Sequence, residues 1–204
     1  MSPSAPATLP VEFYDRPVNE VARELIGCTL SFGGSAGVIV ETEAYDATDP
    51  ACHAYNGRTA RNQPLFGPPA RAYVYLSYGI HHLLNFVAEP ENSPAAVLIR
   101  ALEPTAGVEQ MRGRRGPLPQ RDLCSGPGKL TQALGIGPGQ NGASLLEPPF
   151  LVSRPGAEWL GVEVASCTRI GISKALDLPW RYCAAQSPCL SAPLPRVSPG
   201  RSTG

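Results

Sequence analysis

The sequence predicts an α+β fold, a single domain with a mostly antiparallel sheet surrounded by helices. The length of 204 residues fits one domain, since domains hold roughly 150 residues each. A hydrophobic content of 43% is enough to form a packed core. Between the chain ends, short extended runs follow one another with helical patterns around them, which is typical of α+β proteins.

Local patterns predict the individual elements. Apolar residues at helical spacing after Pro17 predict a helix over 18–26, which Gly27 ends. The extended runs 28–32 and 37–45 are joined by Gly-Gly-Ser-Ala and predict a hairpin. The segment that starts at 125–127 predicts a helix up to Leu134, with Gly135 as its stop. The remaining predictions are extended runs at 71–78, 83–88 and 95–102, a helix at 105–112, and a late strand pair within 160–173.

The chain ends differ from the middle in composition. Residues 1–10 are rich in Pro, Ala and Ser, and residues 187–204 in Pro and Ser, so we expect both to be disordered tails around a folded domain at 11–186. The N-terminus lacks a basic start and an apolar stretch, and no run approaches the ~18–20 apolar residues of a membrane span. We therefore expect a cytoplasmic protein with no membrane partner.

Charge and cysteine usage narrow the function classes. The chain carries 17 basic and 17 acidic residues, which argues against a general electrostatic attraction to nucleic acid but permits a local basic face. The six cysteines form no Cys-x-x-Cys motif and no Cys/His cluster with zinc spacing. We expect reduced and mostly buried thiols, no metal site and no cofactor.

Two strands carry candidate functional side chains. By strand alternation, Glu41, Glu43 and Tyr45 share one face of the run 38–45. They form either a solvated surface or a reactive carboxylate site. Tyr73 and Tyr75 share a face of the next run, which fits either an aromatic core or a stacking platform for a flat ligand such as a base.

Three further segments add candidates. His53 lies in a loop with Tyr55, Asn56 and arginines, a combination that fits a nucleotide-contacting loop. Arg100 closes an apolar run and needs an anionic partner, for which Glu43 would serve. Free N–H groups and a lysine at the helix start Ser125-Gly126-Pro127-Gly128-Lys129 suit a phosphate. That segment is not a Walker A loop, and an ordinary helix start explains it equally well.

Taken together, these segments resemble the alkyladenine (3-methyladenine) DNA glycosylase family of mammalian type, which bacteria also have. Their order and spacing agree over about residues 11–185. The chain departs from the family pattern at Asp46-Ala47 and Ala60, in the expected DNA-facing loop. The matching stretches are Leu25-Ile26-Gly27, Val40 to Tyr45, His53, Arg58 to Asn62, Tyr73 to Gly79, Asn85, Leu98 to Pro104, Leu123 to Leu130, and Arg169 to Ile172.

The resemblance implies the catalytic roles. Glu43 falls at the general base that activates water for attack on the sugar carbon. Arg100 and the backbone carbonyl of Ile170 fall where the family holds that water.

The resemblance also implies how DNA is bound. It indicates a curved sheet with a protruding β-hairpin whose tip, Tyr78, fills the gap left by a flipped base. Among the base-contacting residues, Asn85 falls at the asparagine that discourages guanine. The implied base-binding residues are Tyr45, His53, Tyr75 and Asn85, and the implied DNA-binding residues are Tyr78, Arg58, Thr59, Arg61, Lys129 and Ser125.

The sequence thus predicts a monofunctional, monomeric DNA glycosylase that removes alkylated or deaminated purines (3-methyladenine, 7-methylguanine, hypoxanthine) from double-stranded DNA and leaves an abasic site. It would associate with the nucleoid when it acts. Two alternatives stay open. One is a non-catalytic damaged-DNA or nucleotide-binding module of the same fold. The other is a hydrolase of another glycoside that uses Glu41 and Glu43, which stand roughly 6.5 Å apart along a strand.

Overall fold

The computed structural model describes residues 7–195. The strands in this range form one sheet in which all neighbours are antiparallel, in the order β3-β4-β5-β2-β1-β6, with β8 paired to β2 and β7 to β8. Helices surround the sheet, so the predicted α+β class is confirmed. The strands are β1 Thr29–Phe32, β2 Ser35–Tyr45, β3 Ala72–Ser77, β4 His81–Ala88, β5 Ala95–Ala106, β6 Phe150–Ser153, β7 Val164–Cys167 and β8 Arg181–Ala184.

The helices are short and lie around the sheet. The last of them begins at Pro127 and ends before Gly135, which has a φ of +78°, as the sequence predicts. No helix within residues 7–195 is long and apolar enough to cross a membrane. The α-helices are α1 Val11–Tyr14, α2 Val18–Glu24, α3 Val108–Arg115, α4 Gln120–Leu123 and α5 Pro127–Leu134, and 3-10 turns lie at Gln63–Phe66, Pro138–Gln140 and Ala157–Trp159.

Strand β2 is central because it pairs with three other strands. Its first half pairs with β1, its segment 41–43 pairs with β8, and β5 runs along most of its length. On one face, side chains such as Val38 and Val40 enter the main core. Glu41 and Glu43 point to the opposite face and are still 0% exposed, so that face is covered as well.

Besides a register shift near the start of β2, between Ala36 and Gly37, two bulges beside Glu41 interrupt the pairing of β2 with β5. Ile39 is opposite Leu102 but Glu41 is opposite Ala101, so Val40 is the extra residue on β2. Thr42 is opposite Ile99, so Arg100 is the extra residue on β5. Bulges re-aim a side chain and are frequent beside active sites. Here the second bulge turns Arg100 toward the carboxylates of β2.

Some predicted elements differ in the structure. The late strand pair within 160–173 is wrong, since β7 lies in that range but its partner β8 comes after a connection of residues 168–180. Strand β6 was not predicted. The helix predicted at 105–112 begins at Val108 because β5 runs to Ala106 and Gly107 then turns the chain with a φ of +69°.

Parts of both segments expected to be tails contact the sheet. Thr8 bridges to Ser153 of β6, and Leu9 is buried. In the C-terminal segment Cys189 is buried, and Ser191 donates hydrogen bonds to Glu41 of β2. The remainder of the predicted tails, residues 1–6 and 196–204, lies outside the described residues.

Candidate active site

A cleft of about 770 Å³ lies over β3, β4 and β5 and is bounded by the loop 50–61, the start of α5 and the turn 170–174. Aromatic side chains form one part of its lining. Among the described residues that line it there is no aspartate or glutamate. The basic lining residues are Arg61, Arg100, Arg115, Lys129 and Lys174.

Glu43 lies directly behind the wall of this cleft. Its Oε2 accepts hydrogen bonds from the Tyr45 hydroxyl at 2.8 Å and from Arg100 Nη1 at 3.1 Å. Its Oε1 accepts the backbone N–H of Ile170 at 2.7 Å. A carboxylate offers about four acceptor positions. Within the described chain one position is therefore left, on Oε1, and the three donors all belong to residues that line the cleft.

Glu41 holds Arg100 in place from the other side. Its Oε1 accepts from Arg100 Nε at 2.9 Å and from Arg181 Nε at 2.7 Å, and Ser191 donates both its hydroxyl and its N–H. Burial opposes ionisation, but the two guanidinium charges and the Ser191 bonds outweigh it, so the pKa of Glu41 is lowered. With four donors and no exposed surface, Glu41 is unavailable as a second acid or base.

Tyr75, Tyr73 and His53 form the aromatic part of the cleft lining. The tyrosine rings stack with centroids 5.4 Å apart, and His53 meets Tyr75 edge-on at 4.5 Å. His53 Nδ1 lies 3.0 Å from the Tyr73 hydroxyl. Burial raises the pKa of both tyrosines to about 12. Burial, and then the charge of Arg61, lowers the pKa of His53, which favours the neutral imidazole.

Tyr45 is fixed from behind by Arg169. The guanidinium lies 4.5 Å from the Tyr45 ring centroid and 5.4 Å from that of Trp180. It forms a buried ion pair with Asp49 and donates to the carbonyl of Ala44 at 2.9 Å. Burial, followed by the neighbouring Glu43, raises the pKa of the Tyr45 hydroxyl. Tyr45 therefore stays neutral and donates its proton to the bond with Glu43.

Asn85 lies on β4 in the cleft lining and is buried. Its Nδ2 donates to the carbonyl of Tyr73 at 3.1 Å. This bond fixes the plane of the amide beside the stacked tyrosines.

The predicted DNA-binding residues fall into two groups. Arg61, Tyr78, Ser125 and Lys129 line the cleft, and Lys129 Nζ lies 3.2 Å from Ser125 Oγ. Arg58 and Thr59 lie outside its lining. Arg58 bonds Asn92 and stacks on Phe66, while the N–H of Thr59 donates to Asn62.

Tyr78 is at the tip of the β3–β4 hairpin. It is 90% exposed, has a φ of +49°, and is followed by Gly79 with a φ of +71°. A β-hairpin tip with an exposed aromatic ring thus stands at the rim of the cleft.

Several residues that build the site were given no role from the sequence. Arg169 supports Tyr45, and Arg181 and Ser191 hold Glu41. Glu41 itself entered only as part of a carboxylate pair for another glycosidase. The pairing of the arginines with buried acids follows from their positions in otherwise apolar runs, but which acid each arginine meets depends on the sheet register.

An aromatic cleft with a basic rim and a buried carboxylate behind its wall is the arrangement expected of an enzyme that acts on a base in a nucleic acid. Comparison with known proteins specifies the family. The model of the family described as Methylpurine-DNA glycosylase (MPG) matches residues 12–188. The chain belongs to this family and is therefore a DNA glycosylase.

Three bacterial relatives cover most of the chain, and each is named "Putative 3-methyladenine DNA glycosylase". The protein of Rhodopseudomonas palustris strain ATCC BAA-98 / CGA009 is 57% identical over 90% of this chain and 88% of its own length. That of Bradyrhizobium diazoefficiens is 54% identical over 90% of both chains. That of Nitrosospira multiformis is 54% identical over 85% of this chain and 89% of its own.

Proposed function

We propose that this glycosylase hydrolyses the N-glycosidic bond of alkylated or deaminated purines, including 3-methyladenine, 7-methylguanine and hypoxanthine, in double-stranded DNA. It acts as a monomer on a base flipped into the cleft and leaves an abasic site. The observation that carries the proposal is the geometry of Glu43, which is held by three donors and keeps one acceptor position.

Glu43 takes the role of general base. The free position on Oε1 accepts a proton from a water molecule that attacks the sugar carbon, while the carboxylate charge stabilises the positive charge that develops on the sugar. Because Glu43 has no exposed surface, a water reaches it through a shift of the wall. Ile170 belongs to the connection 168–180, which contains no helix or strand, and this part of the wall moves when the nucleotide enters.

The aromatic lining selects the damaged base. Alkylated purines are cationic or electron-poor, and the faces of tyrosine rings attract such rings. The neutral His53 provides a hydrogen-bonding edge without adding a positive charge that would repel a cationic base. Asn85, fixed by its bond to the carbonyl of Tyr73, crowds the exocyclic amine of guanine.

The β3–β4 hairpin and the basic residues at the rim of the cleft bind the DNA duplex. Tyr78 enters the stack and fills the space that the flipped base leaves, which stabilises the flipped state. Arg61, Ser125 and Lys129 in the lining, with Arg58 and Thr59 on the adjoining loop, contact the backbone phosphates.

Single-turnover reactions on a duplex with one hypoxanthine test the proposal. Wild type is expected to give a strand break only after alkali, because a water-based mechanism leaves an intact abasic strand. Glu43→Gln should reduce the rate by at least about 100-fold with lesion binding retained. Glu109→Gln, the same change on the exposed side of α3, is the matched control and should react like wild type.

Other outcomes distinguish the alternatives. Equal rates for wild type and Glu43→Gln would reassign the base. Strand breaks before alkali, together with a borohydride-trapped adduct, would show an amine mechanism that uses Lys129 or Lys174. Lesion binding without excision of hypoxanthine or of any base from methylated DNA would identify a non-catalytic binding module.

A further inference from the structure

The segment 189–192 contacts the arginines and the buried acid behind the cleft. The buried side chain of Cys189 anchors it in the main core. Ser191 N–H donates to Glu41 Oε2 at 2.6 Å, and the carbonyl of Ala192 accepts from Arg181 Nη2 at 2.8 Å. This segment therefore touches both guanidinium groups that neutralise Glu41. It lies beyond residue 188, where the family match ends.

The Ser191 hydroxyl has two roles at once. It donates to Glu41 Oε1 at 2.7 Å and accepts from Arg100 Nη2 at 3.1 Å. Nε of Arg100 bonds Glu41 at 2.9 Å and lies 3.4 Å from Ser191 Oγ, Nη2 bonds Ser191, and Nη1 is left to bond Glu43. The hydroxyl is thus the acceptor that keeps Nη2 away from Glu41 while Nη1 stays on Glu43.

The competition of two carboxylates for Arg100 explains why the bonds of the Ser191 hydroxyl matter. Glu41 and Glu43 compete for Arg100, while Arg181 serves Glu41 alone. A planar guanidinium prefers a bidentate pair with one carboxylate. Ser191 fills acceptor positions on Glu41 and offers its own oxygen to Nη2. The bidentate arrangement with Glu41 is thereby blocked, and Arg100 is shared between the two acids.

We propose that Ser191 is a positioning residue of the glycosylase reaction, which holds Arg100 against Glu43 and so completes the catalytic centre from outside the predicted domain boundary. The inference rests on the proposed function of Glu43 and Arg100. Without the hydroxyl, Nη2 loses its acceptor and turns with Nε toward a bidentate pair with Glu41, which draws Nη1 away from Oε2 of Glu43. The effect falls on the chemical step and not on DNA binding.

The test compares three variants in single-turnover excision of hypoxanthine, lesion-DNA affinity and thermal unfolding. Ser191→Ala is expected to lower the excision rate about 10- to 100-fold, since small misplacements of catalytic groups cost up to about 100-fold, with affinity unchanged. Ser191→Thr retains a hydroxyl and should restore most of the rate. Ser93→Ala, whose hydroxyl also donates to a carboxylate, that of Glu89 and not Glu41, is the matched control and should behave as wild type.

Each outcome decides the inference. A wild-type rate for Ser191→Ala with active wild-type enzyme overturns the role of Ser191 alone. Equal losses of rate and affinity, or a rate loss that Ser191→Thr does not reverse, indicate a merely structural residue. An inactive wild type overturns the proposed function, and the inference with it.

Discussion

At the scale of single residues, Glu41 shows how a buried acid can be fully bonded while its neighbour two positions along keeps an acceptor position free. Glu41 accepts from two arginines and twice from Ser191, whereas Glu43 has one arginine, one tyrosine and one backbone N–H. The difference comes from β8 and the segment 189–192, which bring Arg181 and Ser191 to Glu41. The sheet register therefore decides which of the two acids is fully bonded.

We expect Glu41→Gln to destabilise the fold strongly. The change leaves Arg100 and Arg181 buried with Glu43 as their nearest carboxylate, and an uncompensated buried charge costs about 3–5 kcal/mol. Urea unfolding at pH 7 measures the free energy of unfolding. Glu109→Gln on the exposed side of α3 is the control. A loss below about 1 kcal/mol, the range of surface pairs, would contradict the structural role.

Glu41 also makes the free energy of unfolding depend on pH, and the direction of its pKa shift gives the sign of that dependence. The pKa of Glu41 is lowered in the fold from its ordinary value of 4.5. Its stabilisation is therefore present above pH 4.5 and is lost as the pH falls through the lower folded value. The difference in free energy of unfolding between wild type and Glu41→Gln should shrink across that window. A difference that stays constant would show that Glu41 does not titrate with folding.

At the scale of elements, the β3–β4 hairpin carries at its tip a residue that contributes little to the stability of the fold. Tyr78 has a left-handed backbone conformation at a φ of +49° and buries little of its ring. Such a conformation costs a non-glycine residue about 1–3 kcal/mol, so folding does not account for the tyrosine, whereas the proposed wedge role on DNA would.

Tyr78→Gly should therefore weaken lesion binding and slow excision while leaving the fold as stable or more stable, because glycine tolerates the turn. Fluorescence anisotropy with lesion DNA, single-turnover rates and thermal unfolding measure the three effects. Leu151→Ala is the control, since Leu151 is an exposed apolar residue of β6 at the opposite end of the sheet order. Unchanged affinity and rate for Tyr78→Gly would exclude the wedge role.

The elements also show what the sequence can and cannot predict. Helix α5 and the β1–β2 hairpin are local, and their Pro and Gly signals placed them well. Strand β8 was missed because it is only four residues long and pairs with a strand far away in sequence. The burial of Glu41 was also undetermined, since alternation identifies the face of a strand but not what covers it.

At the scale of the whole molecule, the sequence again predicts local features of the candidate site better than contacts between distant segments. The residues proposed to contact the base and the water were predicted from strand parity and the family resemblance. The residues that support them come from distant segments: Arg169 before the 170–174 turn, Arg181 on β8 and Ser191 in a Pro/Ser-rich stretch. Composition predicts that such a stretch is a tail, but the buried side chain of Cys189 and two bonds to Glu41 hold it against the buried acids behind the cleft.

The charge distribution of the whole molecule leads to the last prediction. The net charge is zero, yet the described lining of the cleft carries basic residues and no acidic ones. Arg100 is neutralised by Glu41 and Glu43, so Arg61, Arg115, Lys129 and Lys174 are left for phosphates. Because each neutralised phosphate contributes about −0.9 to the salt slope, the logarithm of DNA affinity should fall with the logarithm of salt at a slope of about −2 to −4.

Lys129→Ala should make that slope shallower by about one, since it removes one phosphate contact at the start of α5. Arg154→Ala is the control, because Arg154 follows β6 at the far end of the sheet order from the β3–β4 hairpin. Affinity measured between low and moderate salt gives both slopes. Equal changes for the two variants would mean that attraction is spread over the surface. A change for Lys129→Ala alone would place the DNA backbone along the cleft. It would agree with a net charge of zero, which leaves little attraction for DNA elsewhere on the protein.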